Sequence, residues 1–181
     1  MKRTFFWTFT AATAACVIAS MPLVAGSGDT AGRADDEASA VYGVKLPAGY
    51  RDWQVITVAH EKGDLNDLRA VLGNDIAMKA FREGTRPFPD GAIIARLAWK
   101  YVPSDEDNAV FGRVQSFVAG PATNVQFSVK DSKRYADTSG WGFGQFDDGK
   151  SNRSKALLET CLPCHSRVPK TDDLVFSHYA P

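Results

Sequence analysis

Two thiols and an imidazole fall within five consecutive residues near the carboxyl end of the chain, Cys161-Leu162-Pro163-Cys164-His165. Thiols at this spacing can form thioether bonds to the two vinyl groups on one edge of a porphyrin, and the imidazole that follows is then held beneath the iron. The pattern predicts one covalently attached haem c, with Cys161 and Cys164 as attachment points and His165 as an axial iron ligand. A thioredoxin-like redox pair also uses C-x-x-C, but at the start of a helix that follows an early strand. A two-cysteine zinc site needs further donors, and only His178 is near in sequence.

The second axial position decides what such an iron can do. Electron carriers commonly close it with a methionine, yet none of the sixteen residues after His165 is Met. Past residue 25 the single methionine is Met78, which the pattern places on a helix as a core or pocket-lining side chain. His60 and His178 fall in expected strands, as surface or locally satisfied histidines. An open sixth position follows, one that a diatomic gas or a small nitrogen compound can occupy.

Attachment of c-type haem takes place after export, and the start of the chain agrees. Met1-Lys2-Arg3, an apolar stretch over residues 5–19 and the small pair Ala25-Gly26 are the parts of a secretory signal peptide. Residues 1–25 are therefore expected to be removed, leaving a periplasmic protein. Thr8, Thr10 and Thr13 interrupt the stretch, which falls short of the ~20 apolar residues of a membrane span, so no span is expected after removal. Lipidation at Cys16 is the alternative, since Thr13-Ala14-Ala15-Cys16 loosely resembles a lipoprotein box. The other two cysteines share one motif and make no disulfide scaffold. With 21 basic and 21 acidic residues, the chain carries no nucleic-acid footprint.

Residues 26–40 are small, polar and charged and read as a disordered arm, leaving residues 41–181 as the haem domain. Strands are expected over residues 50–60, 68–72, 92–102, 109–118, 141–146 and 173–179. A helix should run from Asp75, as its cap, through Glu83, with Ile76, Lys79 and Ala80 on the covered side and Gly84 ending it. Residues 104–108 read as a polar turn and 129–135 as a short helix or turn. Residues 151–161 read as a helix capped by Ser154, which Pro163 ends or distorts. The class is α+β, a mainly antiparallel β-sheet with a few short helices and the haem motif at the end of a C-terminal helix.

Further stretches run through nearly all of residues 46–181: Leu46-Pro47-Ala48-Gly49-Tyr50-Arg51-Asp52-Trp53, Arg69, Asp90-Gly91-Ala92-Ile93-Ile94-Ala95, Ser128-Val129-Lys130-Asp131 with Arg134-Tyr135, Trp141-Gly142-Phe143-Gly144-Gln145-Phe146, and Asp173-Leu174-Val175-Phe176. In order and spacing these resemble the cytochrome P-460 family, which includes the cytochrome c′-beta proteins. The resemblance implies a mostly antiparallel β fold, a homodimer and a five-coordinate c haem with His165 proximal. Enzymes of the family oxidise hydroxylamine, and their haem carries an extra bond to a lysine. By the resemblance that lysine falls five residues beyond Gly91, where this chain has Arg96. A guanidinium stays protonated and is a poor nucleophile. Lys100 lies on the same strand face by period, but too far along for the same contact. A distal acidic group of the enzymes corresponds to Gln126, and an amide cannot act as a general acid or base. Arg96 is then a surface or propionate-pairing cation or a distal group, and Arg69, matched to a family arginine near the haem, is a second pocket candidate.

The expected function is a periplasmic haem protein with five-coordinate iron that binds nitric oxide or a similar small ligand. The alternatives are a hydroxylamine-oxidising or peroxidase-like enzyme and an electron-transfer cytochrome c; a periplasmic redox partner is compatible with each. Protein made with c-haem maturation machinery is predicted to keep its haem through acid–acetone extraction, and Cys161→Ala with Cys164→Ala to abolish attachment. Freely extracted haem in the wild type would refute the thioether reading.

Overall fold

Branched and aromatic side chains recur at period two along most of the chain between residues 54 and 147, the pattern of strands with two differently occupied faces. In the computed structural model, which describes residues 38–181, these become one six-stranded antiparallel sheet in sequential order. Its strands are β1 (Gln54–Glu61), β2 (Asp67–Gly73), β3 (Ile93–Pro103), β4 (Phe117–Lys130), β5 (Trp141–Asp147) and β6 (Lys150–Ser151). The expected signal peptide, Cys16 and residues 26–37 of the arm lie outside the described residues. The last residues assigned to the arm are packed: Ser39 is buried and its hydroxyl donates to Phe143 O at 3.0 Å. No helix among the described residues is long and apolar enough to cross a membrane.

Helix α1 (Asp75–Glu83) ends at Gly84 in the left-handed conformation, as expected. Its cap is Asn74 rather than Asp75: the amide oxygen accepts from Ala77 N at 3.0 Å and from Ile93 N at 3.1 Å, and Nδ2 donates to Gly91 O at 2.8 Å. Asn74 thus caps the helix and ties it to β3. The covered face is Ala77, Met78, Ala80 and Phe81, with Ile76 and Lys79 outside. Met78 lies in the core as expected, and burial follows the larger payload of Met78 and Phe81 in place of Ile76.

Three other expectations are corrected. Residues 104–111 are not a turn leading into a strand but a helix, α2 (Asp105–Phe111), capped by Ser104 and opening on three acidic residues that suit a helix N-terminus. The apolar run Ala109-Val110-Phe111 is too short to betray its period, and β4 starts only at Phe117. Residues 151–161 are not one helix: Ser154 caps the single turn α3 (Lys155–Leu158), and the motif forms its own helix, α4 (Cys161–His165). Pro163 lies in the first turn of α4, where an amide donor would have no intrahelical partner, so it does not end the helix. Residues 173–179 form no strand, because Asp173 and Leu174 both adopt left-handed backbone, with φ of 50° and 62°.

The sheet carries a core on each face. On one, Ile56, Met78, Phe81, Phe88, Trp141 and Phe143 cluster beneath α1 and the C-terminal segment. On the other, Leu72, Leu97, Phe127, Tyr135 and Phe146 pack together. Strand β5 serves both by alternating large and small residues. A Cβ at Gly142 would come within 2.2 Å of the Tyr135 ring, and one at Gly144 within 3.0 Å of Val44. Gly142→Ala is therefore predicted to cost about 1–3 kcal/mol through overpacking, read as a lower urea midpoint. An unchanged midpoint would mean that Tyr135 swings aside freely.

Candidate haem site

Helix α4 is five residues long and presents its imidazole toward the sheet. His165 Nδ1 lies 2.6 Å from Leu174 O. A carbonyl only accepts, so this contact makes Nδ1 the protonated nitrogen and leaves Nε2, which has no partner among the described residues, with its lone pair free for iron. The ring packs between Phe143, at 4.7 Å between centroids, and Phe176, at 5.2 Å. Burial holds the imidazole below its ordinary pKa, against the opposing pull of the Leu174 carbonyl. A neutral imidazole is the form that binds a metal.

Cys161 and Cys164 are both free thiols, the first half-buried and the second exposed. Burial, reinforced by Cys164, pushes the Cys161 thiol up. An activated thiol in a catalytic C-x-x-C pair has the opposite shift. No group of three or more His, Cys, Asp or Glu among the described residues is arranged to hold a metal ion. Phe176 remains 52% exposed beside His165, an apolar surface that a porphyrin can cover. The donor set, the tautomer and this surface fit a haem.

The sheet face beneath His165 continues from Phe143 into a polar strip. Phe143 and Gln145 share a face of β5, Gln145 pairs with Gln126, and Gln126 pairs with Arg96. Arg69 pairs with Ala98, two residues beyond Arg96, which places both arginines on that face. Gln126 Nε2 donates to Gln145 Oε1 at 2.7 Å, and Arg96 Nη2 to Asn124 Oδ1 at 2.8 Å. Buried Asp67 joins the two arginines, at 2.8 Å from Arg69 and 3.8 Å from Arg96. Glu61 adds a half-exposed contact to Arg69 at 3.2 Å. Burial first, then repulsion from Arg69, lowers the Arg96 pKa to about 10, still protonated at neutral pH. Its Nε is buried without a partner among the described residues. Lys100 shares this face opposite Asp67 but is exposed.

Met78 is fully buried in the core under α1, its sulfur against Gly73. His60 lies on the opposite sheet face, by its pairing with Leu68, where it stacks on Tyr101. Two surface concavities, of about 310 and 400 Å³, involve no residue of the motif. Sequence reasoning missed Asp67, Asn124 and Gln145. Only Asp67 left a signal, a carboxylate two residues before Arg69 on a period-two strand.

A family model for Cytochrome P460 matches residues 47–177, which include the C-x-x-C-H segment. Comparison with curated proteins returned no match.

Asp67→Asn is predicted to destabilise the protein by about 3 kcal/mol, because it leaves two guanidiniums close together without their shared carboxylate. Glu61→Gln, at the exposed end of the same chain of charges, should cost less than about 1 kcal/mol. Denaturant titration of both variants checks the ordering.

Proposed function

The chain belongs to the cytochrome P460 family, whose members point to a c-type haem with iron, and from that premise we propose an exported protein with one covalently bound haem and five-coordinate iron that takes up nitric oxide or a similar small ligand. In this reading Cys161 and Cys164 form the thioethers and His165 Nε2 is the axial ligand. When bound, the haem supplies an iron whose sixth position can accept a diatomic molecule. Met78, fully buried beneath α1 with its sulfur against Gly73, and His60, on the far face, are poorly placed to compete for that position.

The observation that carries the reading is the cross-strand pair Arg96–Gln126. At the position of the family's cross-linking lysine stands a guanidinium, which keeps its charge even with its pKa near 10 and delocalises its electron pair. Opposite it, where the oxidising enzymes carry an acidic group, stands an amide already bonded to Gln145, which cannot serve as a general acid or base. Neither side chain equips the site for hydroxylamine oxidation. Both can donate hydrogen bonds, and the unpartnered Arg96 Nε, a buried donor that costs ~1–3 kcal/mol if left unsatisfied, suits a propionate or an iron-bound ligand. A periplasmic location, a homodimer and a redox partner complete the proposal.

The ferrous protein should show the spectrum of ordinary high-spin c haem, prompt nitric oxide binding and negligible hydroxylamine turnover. Peptide mass analysis should find no haem bond beyond the two thioethers, whereas Arg96→Lys restores an amine that can form one. A red-shifted ferrous band with haem joined to Arg96 or Lys100 in the wild type would overturn the reading. A low-spin ferrous state converted by Met78→Ala would instead support electron transfer.

A further inference from the structure

The carbonyl that orients His165 belongs to a residue in an uncommon conformation. Leu174 has φ of 62° and follows Asp173 at 50°; two consecutive side-chain-bearing residues in the left-handed region cost energy that the surroundings must repay. The repayment is visible. Both carboxylate oxygens of Asp173 lie 2.9 Å from Lys130 Nζ, and Phe88 N donates to one of them at 2.7 Å. Lys130 is itself buried, donates to Ser139 O at 3.1 Å and lies 5.0 Å from the Trp141 ring centroid. Its backbone is fixed to both sides of the strand entry, through Gly91 N to Lys130 O and Lys130 N to Ala92 O, each at 2.9 Å. On the other side of the strained pair, Val175 is anchored in the core.

We propose that Lys130 and Asp173 are positioning residues for the axial histidine: their ion pair holds the left-handed turn that aims Leu174 O at His165 Nδ1. The inference rests on the haem reading above and concerns how strongly the bound imidazole donates to iron. A hydrogen bond from Nδ1 to a fixed acceptor raises the basicity of Nε2, and loosening the acceptor lowers it. Neither residue touches the ring, so the effect passes wholly through the backbone of one turn.

The test uses the haem-loaded protein. Asp173→Asn keeps the side-chain shape and an acceptor for Phe88 N but removes the attraction to Lys130, while Lys130→Gln breaks the pair from the other side. Both should lower the iron–histidine stretching frequency of the ferrous protein and raise its reduction potential, and Asp173→Glu, which keeps the charge, should recover part of both shifts. Asn108→Ala, which removes the side-chain bonds to Gln115 and Ser116 in the connection between β3 and β4, should destabilise the protein and move neither. Iron–histidine frequencies equal to wild type in both pair variants, or shifted equally by Asn108→Ala, would overturn the inference and leave the haem reading standing. An iron without a His165 bond in the wild type would overturn both.

Discussion

The register between β3 and β4 is the constraint from which the rest of the site follows. Because strand side chains alternate with period two, a slip of one residue would send Arg96 and Gln126 to the apolar face and bring Leu97 and Phe127 out of their core. The cost of that exchange, several large side chains removed from packing and two polar groups buried without partners, makes the register effectively unique. It is pinned at its entry by Asn74, which bonds both α1 and the first amide of β3. The side chains on the His165 side of the sheet inherit their orientation from this pair.

The polar strip on that face is an electrostatic compromise. Asp67 is almost inaccessible and serves two arginines, one closely and one at longer range. Burial of a second guanidinium beside the first is unfavourable, as the lowered Arg96 pKa records. A sheet that needed only stability would carry apolar residues here. Donors kept under such conditions are oriented before any ligand arrives, and so lose little on meeting one.

Much of this was legible in the sequence, and the failures have physical causes. The antiparallel class, strands β2, β3 and β5 and the stop at Gly84 were readable because each depends on local periodicity or a single residue's conformational freedom. Arg96 lies on a strand, as the resemblance implied, and its partner across the ladder is Gln126, which no expected element covered. The helix over Asp105–Phe111 was hidden by a three-residue apolar run compatible with either period. The C-terminal segment was misread because its branched residues suggest a strand, whereas its course is set by an ion pair to Lys130, forty-three positions away. Long-range contacts of that kind leave no trace in local pattern.

The last residues of the chain close on the first strand. A bulge leaves Ile56 without a partner across the β1–β2 ladder, and Ala180 N donates to its carbonyl at 2.9 Å. The segment that carries Leu174 and Phe176 is thereby tethered to the sheet's outer strand. Because Ala180 is bonded to Ile56, strand edge and tail are expected to open together in hydrogen exchange. Fraying at Ala180 would uncover an apolar edge that already exposes Val55 and Val58, and would slacken the cover of His165 in the same event.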